Sequence, residues 1–325
     1  MDKAILHDHL DGGLRPSTAL ELAREINYSP LLEADDIELF FDRSNSSSLD
    51  NYLEAFTHTI ALMQSKNNLE RIAYEAAEDM FNNGITMYES RYAPFYSVNN
   101  NLSPAGVIDS INSGFKEAEY DYGIKSGLIL CGMRHDFENV DLVSELAIAN
   151  KNKIIGFDIA GPELNFMPSL FTSSFKKVSD AGINITIHAG EGDGIHSIKD
   201  ALDNGAKRIG HGVRIIEDVN LESKQIGETG REILNKQIPL EICITSNIHT
   251  NMYKTVEEHP IKNLIDIGFN VSLNTDNRLM SNTTVTKEVE IAKSLGIVNV
   301  DQLLTNSASY SLSLIHISEP TRPSS

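Results

Sequence analysis

Two histidines one residue apart, His7 and His9, end the apolar run Ala4-Ile5-Leu6. Side chains alternate faces along a strand, so both imidazoles point to one side and can reach one metal ion. Such a pair alone is common. Three further segments share the layout of an apolar run ending in a ligand-type residue. They are Ile185-Thr186-Ile187-His188, Arg208-Ile209-Gly210-His211 and Val271-Ser272-Leu273-Asn274-Thr275-Asp276. His7, His9, His188 and Asp276 make a three-nitrogen, one-oxygen set suited to zinc or a similar divalent ion. For any one histidine the plain alternative is a hydrogen-bonded core residue. The four together favour the metal.

Glu191 lies three residues past His188. A carboxyl group there can face the open side of the site and act as general acid/base toward an activated water and its electrophile. Its ordinary alternative is a carboxylate at a helix N-terminus. His211 stands between Gly210 and Gly212, which permit close backbone approach. It is either a further ligand or an outer base and electrostatic stabiliser. Three histidines and Asp276 already fill a zinc set once water is added, which favours the second role. The segment Gly156-Phe157-Asp158-Ile159-Ala160-Gly161-Pro162-Glu163 holds no lysine to bridge two metals, so one ion per chain is expected.

The elements that position these residues repeat along the chain. Strand-like runs occur at 4–8, 86–92, 127–133, 154–159, 183–188, 208–211, 240–244 and 270–273. Helical patterns at 69–82, 140–150, 168–181 and 285–295 separate some of them, and Gly84, Gly182 and Gly296 mark helix stops. Strand–helix alternation argues for a parallel sheet. Ligands spread over the first, fifth, sixth and eighth runs argue for an α/β fold of the (β/α)8 TIM-barrel type. An open sheet would place its site at one switch point. Residues 15–73 form a long helical insertion after strand one, interrupted by Arg43-Ser44-Asn45-Ser46-Ser47-Ser48. Such insertions serve as lids. Within it Leu49, Tyr52 and Phe56 share one helical face; they either pack inward or cover a substrate.

Composition narrows the function. The chain has 325 residues, 41% of them hydrophobic, enough for a sizeable core. Its net charge of -19 repels phosphate backbones, so no nucleic-acid partner is expected. Apolar stretches fall short of the roughly 20 residues of a membrane span. Met1-Asp2-Lys3 enters a strand without a signal-peptide layout, and Cys131 and Cys243 read as buried thiols; both suit the cytoplasm.

The segments Leu6-His7-Asp8-His9-Leu10-Asp11-Gly12, Ile187-His188-Ala189-Gly190-Glu191, Ile209-Gly210-His211-Gly212 and Ser272-Leu273-Asn274-Thr275-Asp276-Asn277 together resemble the adenosine deaminase family of the amidohydrolase superfamily, bacterial type. The resemblance runs from about Lys3 to Leu312. It implies one zinc ion on His7, His9, His188 and Asp276, and a purine nucleoside substrate in purine nucleotide metabolism. Water would attack C6, Glu191 would protonate the adjacent ring nitrogen, and ammonia would leave. His211 would orient and activate the water. The resemblance further implies Asp11 on the ribose 5'-hydroxyl, the Gly161 amide on a ring nitrogen, and Leu49, Tyr52 and Phe56 as an apolar lid. Many family members have aspartate where this chain has Asn277; its NH2 group can still donate to the purine N7.

The leading expectation is hydrolytic deamination of adenosine, with 2'-deoxyadenosine as a further substrate. The runner-up is an adenine or other purine-derivative deaminase. Asp11 discriminates weakly, since base-only enzymes of this group tend to carry glutamate there. No Arg/Lys cluster marks a phosphate site, which argues against AMP. The absent signal layout argues against a secreted growth factor of the same fold, and the full ligand set against an inactive binding barrel. Oligomeric state is not legible. One catalytic domain is expected over residues 1–312. Residues 313–325 have no helical period and carry two prolines. They read as disordered, or as a foreign string resembling a translated sequencing adapter, and would leave the barrel short of its closing helix.

Overall fold

The computed structural model describes residues 1–46 and 48–313. The expectation for the tail therefore falls, from residue 314 on, outside the described residues.

Eight parallel strands follow one another in space in chain order. They are β1 (Ala4–Ile5), β2 (Met87–Tyr92), β3 (Lys125–Met133), β4 (Gly156–Ala160), β5 (Thr186–Ala189), β6 (Arg208–His211), β7 (Leu240–Ile242) and β8 (Val271–Leu273). Two four-stranded sheets, β1 to β4 and β5 to β8, meet at both edges. Phe157 pairs with Ile185 at one seam, and Asp8 with Asp276 at the other. There the His9 N–H donates to the Asp276 carbonyl (3.2 Å) and the Asp276 N–H to the His7 carbonyl (3.0 Å). The sheet is thus closed into a (β/α)8 barrel. Strands covered on both faces are buried continuously rather than alternately, as β4, β5 and β6 are throughout.

The barrel interior holds three fully buried arginines, Arg91, Arg134 and Arg208. Buried charges persist only when paired. Arg91 donates to Asp158 (2.7 Å) and Glu241 (2.9 Å). Arg208 donates to Glu241 (2.5 Å) and Glu89 (2.6 Å). Arg134 donates to the His188 carbonyl (2.6 Å).

Between β1 and β2 run the helices Pro16–Ile26, Ser29–Leu32, Ile37–Phe41, Leu49–Leu53, Phe56–Leu62 and Lys66–Asn82. Side-chain caps start three of them: Asp36, Ser48 and Ser65 each accept a backbone N–H. The single helical face expected for Leu49, Tyr52 and Phe56 is interrupted. Thr57 and His58 bond back three residues, to Glu54 and Ala55, which tightens the turn between the two lid helices. A two-stranded antiparallel hairpin, Val219–Asn220 with Gln225–Ile226, follows β6; its strands are too short to leave a sequence pattern.

The helix Val300–Ser309 packs over the β1–β8 seam. Ala308 of this helix packs against Ala4 and Leu6. Among the described residues no helix is long and apolar enough to cross a membrane.

Candidate metal centre and active site

His7, His9 and His188 bring ring nitrogens together at the C-terminal rim, and Asp276 brings a carboxylate to the same point. His9 Nε2 lies 3.1 Å from His188 Nε2. Asp276 Oδ1 lies 3.6 Å from His7 Nε2 and 3.5 Å from His9 Nε2. Ligand atoms of His7, His9 and His188 fall within 4.8 Å of one another, and so do those of His7, His211 and Asp276. His7 Nε2 and Asp276 Oδ1 are buried and have no hydrogen-bond partner. An orphaned buried polar atom costs about 1–3 kcal/mol. Two of them facing each other, among the imidazoles of His9, His188 and His211, fit a divalent cation.

Two of the candidate ligands, His7 and Asp276, are anchored from behind by hydrogen bonds. His7 Nδ1 meets Glu241 at 2.7 Å, and the Ser246 hydroxyl donates to Asp276 Oδ2 at 2.6 Å. His188 Nδ1 sits 2.9 Å from Asp158, a charge contact off the line of a hydrogen bond. Carboxylates behind ligating histidines turn the Nε2 lone pairs inward and raise their basicity. Burial holds His9, His188 and His211 well below the ordinary histidine range, so they stay neutral and able to ligate or hydrogen-bond. At His7 the carboxylates of Asp276 and Glu241 outweigh burial and Arg91 and move it up. Asp276 and His211 both adopt left-handed backbone, with φ of 56° and 59°. That conformation costs a non-glycine residue about 1–3 kcal/mol and clusters at functional sites.

A cavity of about 600 Å³ opens over the centre. It is lined by His9, His188, Asp276, Glu191 and His211, and by Asp11, Leu49, Tyr52, Phe56, Gly161 and Asn277. His7 is fully buried beneath. Every residue singled out from the sequence is therefore at this one place. Tyr52 is also part of the core, with its hydroxyl 2.7 Å from Ser281 Oγ. Asp11 Oδ1 and Asn277 Oδ1 are buried without partners. Burial, with the nearby charges of Asp8 and Asp276, pushes Asp11 up to about 7. A Cβ on Gly12 would lie 2.2 Å from Asn277 Oδ1, so only glycine lets Asn277 take its position.

Glu191 is pushed well above the usual carboxylate range, first by burial and then by the charges of Asp276 and Glu163. Both effects favour its protonated, neutral form. Its Oε2 lies 3.5 Å from His211 Nε2. The tautomer of His211 follows from a chain of hydrogen bonds. The Ile261 N–H donates to His259 Nδ1 (3.2 Å), so His259 Nε2 carries a proton and donates to Asn247 Oδ1 (3.2 Å). The Asn247 NH2 group then donates to His211 Nδ1 (3.0 Å). An amide NH2 only donates, so His211 Nδ1 accepts and Nε2 carries the hydrogen toward the site.

Sequence reasoning missed Asp158, Glu163, Glu241, Asn247 and His259. For Asp158 and Glu241 a signal existed: each is a lone acid inside an apolar strand, and buried acids need partners.

A closed (β/α)8 barrel that gathers histidines, an aspartate and a buried carboxyl group at its C-terminal rim has the architecture of a barrel enzyme with its active site on that rim. The family model described as adenosine deaminase matches residues 2–311. The chain belongs to the adenosine deaminase family. It is 42% identical over 301 residues to adenosine deaminase 1 of Streptomyces coelicolor, covering 89% of this chain and 76% of that one. Two solved structures share the fold at 23% identity. Adenine deaminase from Arthrobacter aurescens has a TM-score of 0.86, with 95% of this chain and 93% of that one covered. A zinc-bound amidohydrolase from Burkholderia ambifaria has a TM-score of 0.83, with 96% and 86% covered.

Proposed function

We propose that this protein hydrolyses adenosine, and 2'-deoxyadenosine, to the corresponding inosine and ammonia. One zinc ion would be held by His7, His9, His188 and Asp276. The observation that carries the reading is a buried Glu191, its carboxyl group pushed toward the protonated form, 3.5 Å from His211 and beside two overlapping clusters, His7–His9–His188 and His7–His211–Asp276, in a chain of this family. A divalent ion there supplies Lewis acidity that makes water nucleophilic near neutral pH.

The chain's own groups do the rest. Glu191 gives its proton to the ring nitrogen beside the amino-bearing carbon, which makes that carbon electrophilic. His211, neutral and carrying its hydrogen on Nε2, holds the attacking oxygen by donating to it. Asp11 accepts from a ribose hydroxyl, the Gly161 N–H donates to a ring nitrogen, and the Asn277 amide donates to N7. Leu49, Tyr52 and Phe56 cover the base and exclude water. Water contributes its oxygen to the product; one of its hydrogens leaves with the ammonia, and the other restores to Glu191 the proton it passed to the ring.

The test compares wild type, Glu191→Gln and His188→Ala for metal content and for ammonia release from adenosine, 2'-deoxyadenosine, adenine and AMP. Glu191→Gln is expected to keep the metal and lose about 10²- to 10⁴-fold in kcat. His188→Ala is expected to lose both. Near-normal kcat in Glu191→Gln, two tight ions per chain, or faster turnover of adenine than of adenosine would each overturn the corresponding part of the reading.

A further inference from the structure

Residues 190–193 lead from β5 to the helix Ile195–Asp203 and carry Glu191. Four consecutive backbone N–H groups in this turn converge on one side chain, the carboxylate of Glu163. Gly190 N–H donates to Oε1 (2.7 Å). The N–H groups of Glu191 (2.9 Å), Gly192 (2.7 Å) and Asp193 (3.1 Å) donate to Oε2. The Ser197 hydroxyl adds a fifth bond, to Oε1. Glu163 is only 2% exposed and follows β4, the neighbouring strand.

With five donors facing it, both oxygens of Glu163 act as acceptors. A carboxylate near a helix start often serves only the helix. Here four of the five donors precede Gly194, the helix N-cap, and belong to the turn. The turn also uses the left-handed backbone of Gly190, with φ of 74°, which glycine adopts without strain.

We propose that Glu163 is the positioning residue of Glu191: by gathering the N–H groups of residues 190–193 it fixes the turn that aims the Glu191 carboxyl group into the cavity. The inference rests on the acid role proposed above for Glu191. Its consequence is a split in kinetics. Binding of substrate uses groups from many strands and survives when the turn loosens. Proton delivery needs Glu191 in place, and displacing a catalytic group by about 1 Å costs on the order of 10²-fold.

The experiment uses the metal-loaded enzyme and the variants Glu163→Gln, Glu163→Asp and Glu191→Gln. Gln keeps the length but turns two acceptors into one acceptor and one donor; Asp keeps the charge but withdraws it from the turn. Both are expected to lower kcat for adenosine by about tenfold or more, with KM within about threefold and one metal ion retained. Amide hydrogen exchange should quicken at residues 190–193 and not across β5. Wild-type kcat in Glu163→Gln overturns the proposal. So does wild-type kcat in Glu163→Asp beside an impaired Glu163→Gln, which would make the effect one of charge alone. Loss of metal in both variants would assign Glu163 to the centre instead. If either variant fails to fold, exchange in the wild-type holoenzyme still decides: amides of 190–193 as free as those of an exposed loop overturn the clasp. Near-normal kcat in Glu191→Gln would sink the acid role itself, whereas an inactive Glu191→Gln beside a normal Glu163→Gln sinks only this inference.

Discussion

His211 takes its orientation from groups that never approach the substrate. The relay Ile261–His259–Asn247–His211 works only if His259 is neutral, and burial pushes His259 down to about 3. Replacing Asn247 with aspartate reverses the middle link. A carboxylate can only accept, so it draws the His211 proton to Nδ1 and leaves Nε2 without its hydrogen. Asn247→Asp is expected to lower kcat by about tenfold to a hundredfold while keeping the metal, because one donor to a developing charge is worth that much. Nitrogen-15 spectra of the histidines check it: an unchanged Nε2–H tautomer at His211 with unchanged kcat would discard the relay. The sequence exposes the two ends of such a chain unequally. His7 and His9 are legible because period two puts them on one side of a strand. Asn247 and His259 are 12 residues apart and share no element, so no spacing rule joins them.

Elements were legible where the local pattern and the fold agree. The eight runs ending in polar residues became the eight strands, though β1 keeps only Ala4–Ile5 and the histidines lie just past it. The lid was legible as helical but not as two helices, because the tightened turn at 54–58 leaves no sequence mark. What docks one element on another was hidden as well. Glu288, on the helix Val285–Ser294, is 1% exposed and accepts from the Thr283 hydroxyl (2.7 Å) and the Thr245 N–H (3.4 Å), tying that helix to the segment after β7. Burial pushes it from 4.5 up to about 7. The folded state therefore holds this proton more tightly than the unfolded chain. As pH rises from about 4.5 to 7 the unfolded chain sheds the proton first, so wild type loses stability across that window. Glu288→Gln has no such proton. Its stability relative to wild type is expected to rise through the window by on the order of 3 kcal/mol, and to be flat below it. Urea melts of both proteins at pH 4.5, 6 and 8 test this; parallel dependence on pH would show that Glu288 is ionised in the fold.

At the scale of the molecule, closure of the barrel was legible from the spread of candidate ligands over strands one, five, six and eight, but the floor beneath them was not. Leu312 fills that floor. A Cβ on Gly156 of β4 would come 2.5 Å from Leu312 Cδ1. The Leu312 carbonyl accepts from Asn184 (2.9 Å), and its N–H donates to Glu89 (2.8 Å). Glu89 in turn pairs with Arg208, Arg208 with Glu241, and Glu241 with the candidate ligand His7. Packing and charge thus part company at one residue. Leu312→Ala removes apolar volume alone and is expected to cost about 2–5 kcal/mol, since such a buried site cannot fully collapse. That should lower Tm by several degrees while zinc affinity holds. Glu89→Ala leaves the buried Arg208 half-paired, at a cost of about 3–5 kcal/mol. Arg208 is then free to pull on Glu241, so Glu89→Ala is expected to lower zinc affinity as well as Tm. Chelator competition beside thermal melts separates the two. Equal zinc affinity in both variants would show that the interior charge chain carries nothing from the floor to the centre, and an unchanged Tm in Leu312→Ala would show that other side chains close the barrel.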